Sequence, residues 1–186
     1  CAQAQQRWAE RQLLRSEGRF KQLADLLPQV VFETDAAGKL TYANQRAYDV
    51  FGYTEEELRS GRQAVEMLVP EDRARAAQNM ARAMQGADPR ANEYTALRKD
   101  GATFPVLIYS GGVIEDGVPA GIRGVVVDIT ERKRVEERLQ QTLDTTRQIL
   151  ADLPVGVTIV GRDRRIREVN RAVLEMVGRV REDVIG

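Results

Sequence analysis

The sequence contains no histidine and a single cysteine. The lack of histidine excludes several kinds of site from these 186 residues: a His-ligated haem, a Cys/His zinc site, a Ser-His-Asp triad and a phosphate-accepting histidine. Cys1 stands at the first position and has no second cysteine with which to form a disulfide, which fits a cytosolic protein. We therefore expect no metal site and no haem in this segment.

An excess of either charge is also missing, because 28 Lys and Arg balance 28 Asp and Glu. A balanced chain gives no argument for nucleic acid or an anionic membrane as a partner. No apolar run approaches the roughly 18 residues of a membrane span, and no signal peptide is visible. We expect a cytoplasmic segment. Since the chain begins at Cys1 rather than Met, we also expect a piece of a longer protein, in which a membrane anchor elsewhere is compatible with these observations.

The motifs of the common enzyme classes are absent as well: there is no Walker loop, no metal-ligand cluster and no nucleophile beside a base. Acidic residues are plentiful, as in Glu55-Glu56-Glu57 and Glu71-Asp72. They stand at predicted helix starts, where their interaction with the helix dipole explains them better than acid–base chemistry does. We expect no enzymatic activity in this segment.

The pattern that is present is a helix followed by short strands with helices between them. Residues 1–27 are rich in helix-forming residues and precede Pro28. A capping box at Thr54 and Glu57 marks one later helix, and Pro70 marks the first turn of another. Strand-like runs are predicted at residues 30–35, 39–44, 92–98, 103–115 and 120–129. This order predicts an α+β fold with an antiparallel sheet and helices on one face.

Two helical segments have mostly apolar residues at alternating steps of three and four, which is the period of a coiled coil, although Ser16 weakens the first seam and Thr142 and Thr146 weaken the second. The first seam consists of Ala9, Leu13, Ser16, Phe20, Leu23 and Leu27. The second, in residues 131–153, consists of Arg132, Val135, Leu139, Thr142, Thr146, Ile149 and Leu153. Each segment is interpreted either as a coiled coil that pairs two chains or as a solitary helix lying on its own domain.

The sequence repeats itself at a constant offset of 126 residues. Residues 153–184 match residues 27–58, and the identities include Leu, Pro, Asn and Gly at equivalent positions, among them Asn44 and Asn170. A fixed offset indicates tandem domains. We predict an N-terminal helix at 1–27, a domain at 28–130, a helical linker at 131–153 and the start of a second, truncated domain at 154–186.

Four motifs carry a resemblance to a known family: "FETDAAGKLTYANQRAYDVFGYTEEEL", "VPEDR", "RKDG" and "GVVVDITERK". Residues 20–130 resemble a PAS domain, and a second one begins after residue 150. The resemblance implies a five-stranded antiparallel sheet with helices over one face and a pocket between them. It also implies a sensor or relay module of a bacterial signalling protein, most often a sensor histidine kinase of a two-component system, or else a diguanylate cyclase or phosphodiesterase.

In this family the last strand continues into a signalling helix through an Asp-x-Thr joint, which is Asp128-Ile129-Thr130 in this chain. The resemblance implies that this joint transmits the signal. We expect the Thr130 hydroxyl to cap the new helix and Asp128 to pair with Arg132, four residues later. The alternative is an ordinary capped surface helix that carries no signal.

The light-sensing LOV branch of the family indicates which side chains point inwards. In the stretch "GRQA", Ala64 stands where that branch has its photoactive cysteine, and Ala96, Val106 and Val126 stand where it has the amides that bind flavin, so no flavin adduct is expected. Together with the lack of histidine for haem, this predicts no cofactor. The candidate pocket is apolar and consists of Phe32, Leu68, Met80, Met84, Tyr94, Ala96, Val106, Ile108 and Val126. It suits a small apolar or aromatic ligand, bound non-covalently and oriented by the Tyr94 hydroxyl. The alternative is that these residues simply form the core.

Leu107 and Tyr109 are predicted to lie on the opposite face of the sheet. An apolar outer face needs a cover. The N-terminal helix, through Leu13, Phe20 and Leu23, is the candidate, either within one chain or across a homodimer that also pairs the 131–153 helices. These features leave two functions open: a ligand-responsive sensor, or a ligand-free module for dimerisation and signal relay between adjacent domains of the parent protein.

Overall fold

The computed structural model describes Trp8, Gln12, Arg15 and residues 18–185. It divides into two compact units, Cys1–Thr130 and Glu131–Gly186, which are described in turn. Leu13, one of the residues predicted to cover the sheet, lies outside the described residues, as do Ala9 and Ser16 of the same seam.

Five strands form one antiparallel sheet in the first unit, as the sequence predicts. They are β1 (Val30–Asp35), β2 (Leu40–Ala43), β3 (Arg90–Leu97), β4 (Thr103–Glu115) and β5 (Val118–Asp128). Their order across the sheet is β2-β1-β5-β4-β3, so β1 and β5 pair although they come from opposite ends of the unit. Strand β5, the last of the unit, is therefore the central strand of the sheet.

Tight turns that contain Asp and Gly join β1 to β2 and β4 to β5. In the β1–β2 turn the Asp35 carboxylate accepts hydrogen bonds of 2.9 Å from the backbone N–H groups of Ala37 and Lys39. In the β4–β5 turn Asp116 and Gly117 both have positive φ, 49° and 80°. Two successive positive φ angles match the right-handed twist of the flanking strands, which explains a tight hairpin between two long strands.

Helices precede the sheet and fill the chain between β2 and β3. The first, α1, is described continuously over residues 18–25. It is followed by α2 (Gln45–Phe51), α3 (Glu55–Arg59), a 3-10 turn (Ala64–Met67) and α4 (Pro70–Met84). The predicted capping box is confirmed, because Glu57 N–H donates to Thr54 Oγ1 at 3.2 Å and Thr54 N–H donates to Glu57 Oε2 at 2.9 Å. Helix α4 begins at Pro70, as predicted.

The core lies between the inner face of the sheet and the helices from α2 to α4. Its buried side chains are almost all apolar, and the rings of Phe51 and Phe104 meet in it at 5.7 Å between centroids. Helix α1 lies against the other face of the sheet, where Phe20 contacts Tyr42 at 5.6 Å between ring centroids. Burial of apolar area on the inner face is the main stabilising contribution to such a domain.

Glycine permits two close backbone approaches in the sheet. At Gly121, where β5 passes β1, a Cβ atom would lie 1.8 Å from the carbonyl oxygen of Thr34. At Gly112, where β4 passes the end of α4, a Cβ atom would lie 2.5 Å from the carbonyl oxygen of Ala83. Both contacts are with backbone atoms, which cannot rotate away as a side chain can, so these positions require glycine.

The second unit contains most of α5 (Thr130–Asp152), followed by β6 (Thr158–Val160), β7 (Ile166–Val169), α6 (Arg171–Val177) and a 3-10 turn (Arg181–Asp183). Strands β6 and β7 form an antiparallel pair. Helix α6 starts at an Asn cap and ends at Gly178 with φ 61°, as α2 starts at an Asn cap and ends at Gly52 with φ 75°. The order helix–strand–strand–helix thus repeats that of residues 18–51.

A buried asparagine ties helix, strand and loop together in the first unit. Asn44 is 1% exposed. Its Nδ2 donates to the carbonyl oxygens of Ala24 (2.8 Å), at the end of α1, and Gln29 (3.0 Å), before β1. Its Oδ1 accepts from the N–H groups of Val31 (3.0 Å) and Ala47 (3.3 Å). One side chain therefore fixes where α1 ends relative to β1 and α2.

Asn170 makes the equivalent set of bonds in the second unit. Its Nδ2 donates to the carbonyl oxygens of Leu150 (3.0 Å) and Val155 (2.8 Å), and its Oδ1 accepts from the N–H groups of Val157 (2.9 Å) and Val173 (3.3 Å). Each partner lies 126 residues after the corresponding partner of Asn44. Helix α5 therefore has the same relation to the second unit that α1 has to the first.

Candidate functional site

An apolar cavity of about 80 Å³ lies between the sheet and the helices of the first unit. Most of its wall is aliphatic or aromatic, and α4, the 3-10 turn and the central strands all contribute to it. Among the side chains predicted to form the pocket, the wall contains Phe32, Leu68, Met80, Tyr94, Val106, Ile108 and Val126. Ala64 also lies in the wall, at the position where the LOV resemblance places a cysteine.

Two residues that the sequence assigns to the pocket are not in the described wall, Ala96 and Met84. Ala96 is fully buried, and its backbone bridges to Leu68, whose side chain reaches the cavity instead. Met84 is the last residue of α4, where Ala83 is the buried residue and approaches Gly112. Ala96 was assigned by the LOV resemblance together with strand alternation, and Met84 by helix periodicity. Neither shows where another segment crosses a strand or where a helix leaves a cavity.

One end of the cavity is polar. Asn79 Nδ2 donates to the Tyr94 hydroxyl at 2.7 Å and to Asn92 Oδ1 at 3.2 Å, and the wall here also includes Ser110. Tyr94 was expected to supply the polar group, whereas Asn79, Asn92 and Ser110 were missed. The sequence signal was the spacing of Asn79, which lies three residues after Ala76 and four before Ala83, on the side of α4 that faces inwards.

The start of α4 is attached to β3 beside Tyr94. The Asp72 carboxylate accepts from the N–H of Thr95 at 2.7 Å and pairs with Arg75 at 2.6 Å, and the Arg75 guanidinium lies 4.2 Å from the centre of the Tyr94 ring. Burial by itself raises the pKa of Asp72, but the bonds from Thr95 N–H and Arg75 outweigh it and hold the pKa below its usual value. The ionised carboxylate therefore positions Tyr94 indirectly.

We predict that Asp72→Asn lowers the free energy of unfolding at pH 7 by about 1 kcal/mol, because the amide cannot replace a charged acceptor. Since the folded-state pKa lies below the unfolded value, this stability is present above about pH 4 and is lost as the pH falls through the lowered folded pKa. Urea titrations at pH 7 and at acid pH measure it. The difference between the wild-type protein and the variant should shrink in acid, while Glu71→Gln, a neighbouring exposed change, should show little effect at either pH. An equal deficit at both pH values would contradict the assignment.

The joint between β5 and α5 is tightly hydrogen-bonded. Asp128 Oδ1 accepts from the N–H of Thr130 at 2.8 Å and from its hydroxyl at 2.5 Å. Between them Ile129 is 4% exposed, and its N–H donates to the carbonyl oxygen of Pro105 at 3.1 Å. The Thr130 hydroxyl was expected to cap the helix, but here it donates to Asp128, because a side chain two residues away is within easier reach. Arg132 pairs with Glu136 at 3.1 Å, and its pairing with Asp128 stays a prediction.

The outer face of the sheet is partly covered by α1 of the same chain. Phe20 and Leu23 share an apolar groove with Tyr109, which is 44% exposed, and the Arg123 guanidinium lies 5.4 Å from the centre of the Phe20 ring. Leu107 is half-buried on the same face. Helix α1 therefore acts as a cover within one chain, and a homodimer through this face stays a prediction.

The predicted seam of α5 is exposed in the chain. Val135, Leu139 and Ile149 are 58%, 59% and 58% exposed. Thr142 and Thr146 donate their hydroxyls to carbonyl oxygens one turn earlier, at 2.8 Å. Leu153 lies one residue beyond the helix end. Three large apolar side chains left in water on one helix are a surface that a partner helix would bury.

Two kinds of site are missing from the part of the chain that the structure describes. No helix there is both long enough and apolar enough to cross a membrane. No three side chains of the His, Cys, Asp or Glu type come together there as a possible metal site.

Comparison with known proteins follows the two units. A family model described as the PAS fold matches residues 24–134, and one described as a PAS domain matches residues 144–186. Sensor protein FixL of Bradyrhizobium diazoefficiens is 29% identical over 130 residues, which is 67% of this chain and 25% of FixL. Sensor histidine kinase TmoS of Ectopseudomonas mendocina is 29% identical over 150 residues, which is 77% of this chain and 15% of TmoS. The chain thus spans a quarter or less of these relatives.

Solved structures show the same architecture. The PAS domain of a protein from Colwellia psychrerythraea has a TM-score of 0.56 at 21% identity, covering 64% of this chain and 98% of that one. A domain of a sensory box sensor histidine kinase/response regulator from Geobacter sulfurreducens has a TM-score of 0.53 at 23% identity, covering 62% and 96%. Both likenesses support the α+β fold with its five-stranded antiparallel sheet.

Proposed function

The chain belongs to the PAS family, and from this we propose that it is a cytoplasmic sensor and relay module of a longer bacterial signalling protein. Its likeness to sensor proteins and sensor histidine kinases favours a histidine kinase of a two-component system as the parent. The PAS segment itself is non-enzymatic. Catalysis would belong to another domain of the parent, and this segment would set its activity in response to a small apolar ligand.

The observation that carries this proposal is the cavity, which is apolar along most of its wall and polar at one end. At about 80 Å³ it is roughly half the size of a cavity that binds benzene. Its occupant therefore has few heavy atoms, or it displaces part of the wall. Met80 is the side chain best suited to such a displacement, because methionine is unbranched and adapts its shape.

The cavity wall is continuous with the joint. Within the β4–β5 ladder, Ile108 pairs with Val126, and Val106 pairs with Asp128. A shift of these strands on ligand binding would therefore act directly on the carboxylate that fixes the start of α5. For the signal to be transmitted, the ligand must bind one arrangement of the joint more tightly than the other.

We predict that Ala64→Phe fills the cavity and abolishes ligand binding while the domain stays folded. Ala64 lies in the wall but is only half-buried, so a ring has a path into the empty volume, and the cost should stay within about 1–3 kcal/mol. Native mass spectrometry of the purified protein, before and after solvent extraction, measures occupancy. A stoichiometric extra mass in the wild-type protein and its loss in the variant are expected.

The control for this experiment is Ala77→Phe, which adds the same ring on the exposed side of α4. It should leave the bound mass unchanged. Wild-type protein without extra mass, and without a thermal shift in the presence of small apolar probes, would refute the ligand hypothesis.

The second candidate function is a ligand-free module for dimerisation and relay, in a parent of the histidine kinase or of the diguanylate cyclase/phosphodiesterase type. The small size of the cavity and the exposed seam of α5 favour it. Under this alternative, a clean dimer mass without an adduct is expected. The homodimer itself is common to both candidates and would use the groove beside α1 together with the α5 seam.

We predict that Leu139→Glu weakens the homodimer by roughly 10- to 100-fold, since it replaces about 1.5–3 kcal/mol of apolar burial with a charge in the seam. Sedimentation equilibrium of the full chain measures the effect. Gln140→Glu adds the same charge beside the seam and should change the dissociation constant little. Equal dissociation constants for both variants would exclude this seam as the dimer interface.

A further inference from the structure

We propose that the ligand of the cavity is a short-chain carboxylate, whose apolar tail occupies the cavity and whose carboxylate lies in a polar cleft at its open end. This inference rests on the function proposed above and adds the chemical class of the ligand. The cleft has a volume of about 160 Å³ and lies where the end of α4 faces the start of β3.

The cavity and the cleft share part of their walls. Asn79, Asn92 and Ser110 line both of them. These three side chains separate the two spaces, and Asn79 and Asn92 are hydrogen-bonded to each other, so one molecule would occupy both spaces by displacing that bond rather than by crossing the core. The shared residues are two asparagines and a serine, so the surroundings change from apolar to polar at these three side chains.

The polar end of the cavity has hydrogen-bond donors that no described residue uses, beside acceptors such as the Asn79 side-chain oxygen. Tyr94 already accepts from Asn79 through its hydroxyl, and within the described part of the chain its own proton has no acceptor. Asn92 Nδ2 uses one of its two N–H groups on the carbonyl oxygen of Arg90. The Ser110 hydroxyl has no hydrogen-bond partner among the described residues. These unused donors would bind a ligand group that accepts hydrogen bonds.

The charge of the cleft favours an anion. Arg82 and Arg90 lie in its wall against the single carboxylate of Asp88, and neither guanidinium forms an ion pair with a described residue. Both arginines are exposed, so each contributes only the modest attraction of a surface charge, which salt screens. An alcohol or a hydrocarbon would gain the apolar contacts but not this attraction.

The length of the tail follows from the volume of the cavity. A space about half that of a benzene-binding cavity accommodates about three carbon atoms. With the carboxylate in the cleft, an acid of about four carbons fits both spaces. Butyrate and 1-butanol are therefore a matched pair of probes, because they have the same tail and differ in the head group.

The experiment is an NMR titration of the full chain with sodium butyrate and with 1-butanol. Saturable shifts are expected at the cavity strands for both probes, with butyrate bound roughly fivefold more tightly, and the difference should shrink at high ionic strength. The double variant R82Q/R90Q should bring the affinity for butyrate down to that for butanol and leave butanol unchanged. R46Q, which removes an exposed arginine from α2, should affect neither.

The outcomes separate the two proposals. Equal affinities for the two probes, or an affinity for butyrate that R82Q/R90Q leaves unchanged, would overturn the carboxylate assignment and leave the cavity as an apolar site. Absence of saturable shifts with both probes would overturn the assignment together with the proposed ligand site.

Discussion

Replacing Asn44 with alanine is expected to destabilise the first unit by about 2–3 kcal/mol, because it removes four hydrogen bonds from a largely buried place. The Val31 N–H and the Gln29 carbonyl oxygen would lose their partner, whereas the Ala47 N–H and the Ala24 carbonyl oxygen keep a backbone partner. The loss should appear as a lower midpoint of urea unfolding. It should also appear as faster hydrogen exchange at Val31, whose N–H group bonds to the asparagine side chain.

Asn170→Ala is the matched control, because it removes the same set of bonds from the second unit. Exchange at Val157 and Val173 should accelerate, while the amides of Val31 and Ala47 keep their protection. If Asn44→Ala changes the free energy of unfolding by less than about 1 kcal/mol, the typical net contribution of one hydrogen bond, then this asparagine does not hold α1 to the sheet.

The second large effect is expected from Gly121→Ala, which should destabilise the first unit by more than about 3 kcal/mol. The added methyl group would lie 1.8 Å from the carbonyl oxygen of Thr34, so β1 and β5 would have to separate at the end of β1, where Asp35 pairs with Gly121. Soluble yield, circular dichroism and urea unfolding measure it.

Gly18→Ala adds the same methyl group in α1, where nothing lies within 4 Å, and should raise stability by about 0.5–1 kcal/mol through helix propensity. The two substitutions share their chemistry, so opposite signs would establish the backbone contact as the cause. A Gly121→Ala protein as stable as the wild type would show that the close approach of β1 and β5 at this position does not limit stability.

The fold was predictable because its signals are local. Alternating apolar residues, the Asp35 and Asp116 turns, the Thr54 capping box and Pro70 each determine a short element from its own residues. The motifs that resemble the PAS family then predict how these elements combine. None of these signals depends on which residues meet across the sheet.

The candidate site was less predictable because it depends on contacts between distant segments. Asn79, Asn92 and Ser110 are polar, and polar residues are usually assigned to the surface, yet three elements bring them together at the end of an apolar cavity. Strand alternation places Ala96 on the inward face of β3, but the segment at Leu68 pairs with it there, and the Leu68 side chain lines the cavity instead. The sequence repeat shows that Asn44 and Asn170 are equivalent, but only the hydrogen bonds of the structure show that each ties a helix end to a strand.

Helix α5 has a fixed anchor at each end, Asp128 at its start and Asn170 near its finish. Its 23 residues amount to a rod of about 35 Å in which each residue advances the angle by about 100°. The number of residues between the anchors therefore encodes an angle as well as a length. Inserting one residue would turn one anchor by more than a quarter of a circle about the axis, whereas inserting seven would restore its phase to within about 20°. An insertion or deletion in α5 therefore changes the angle between its two ends as well as the distance, and amino-acid composition does not reveal this constraint on its length.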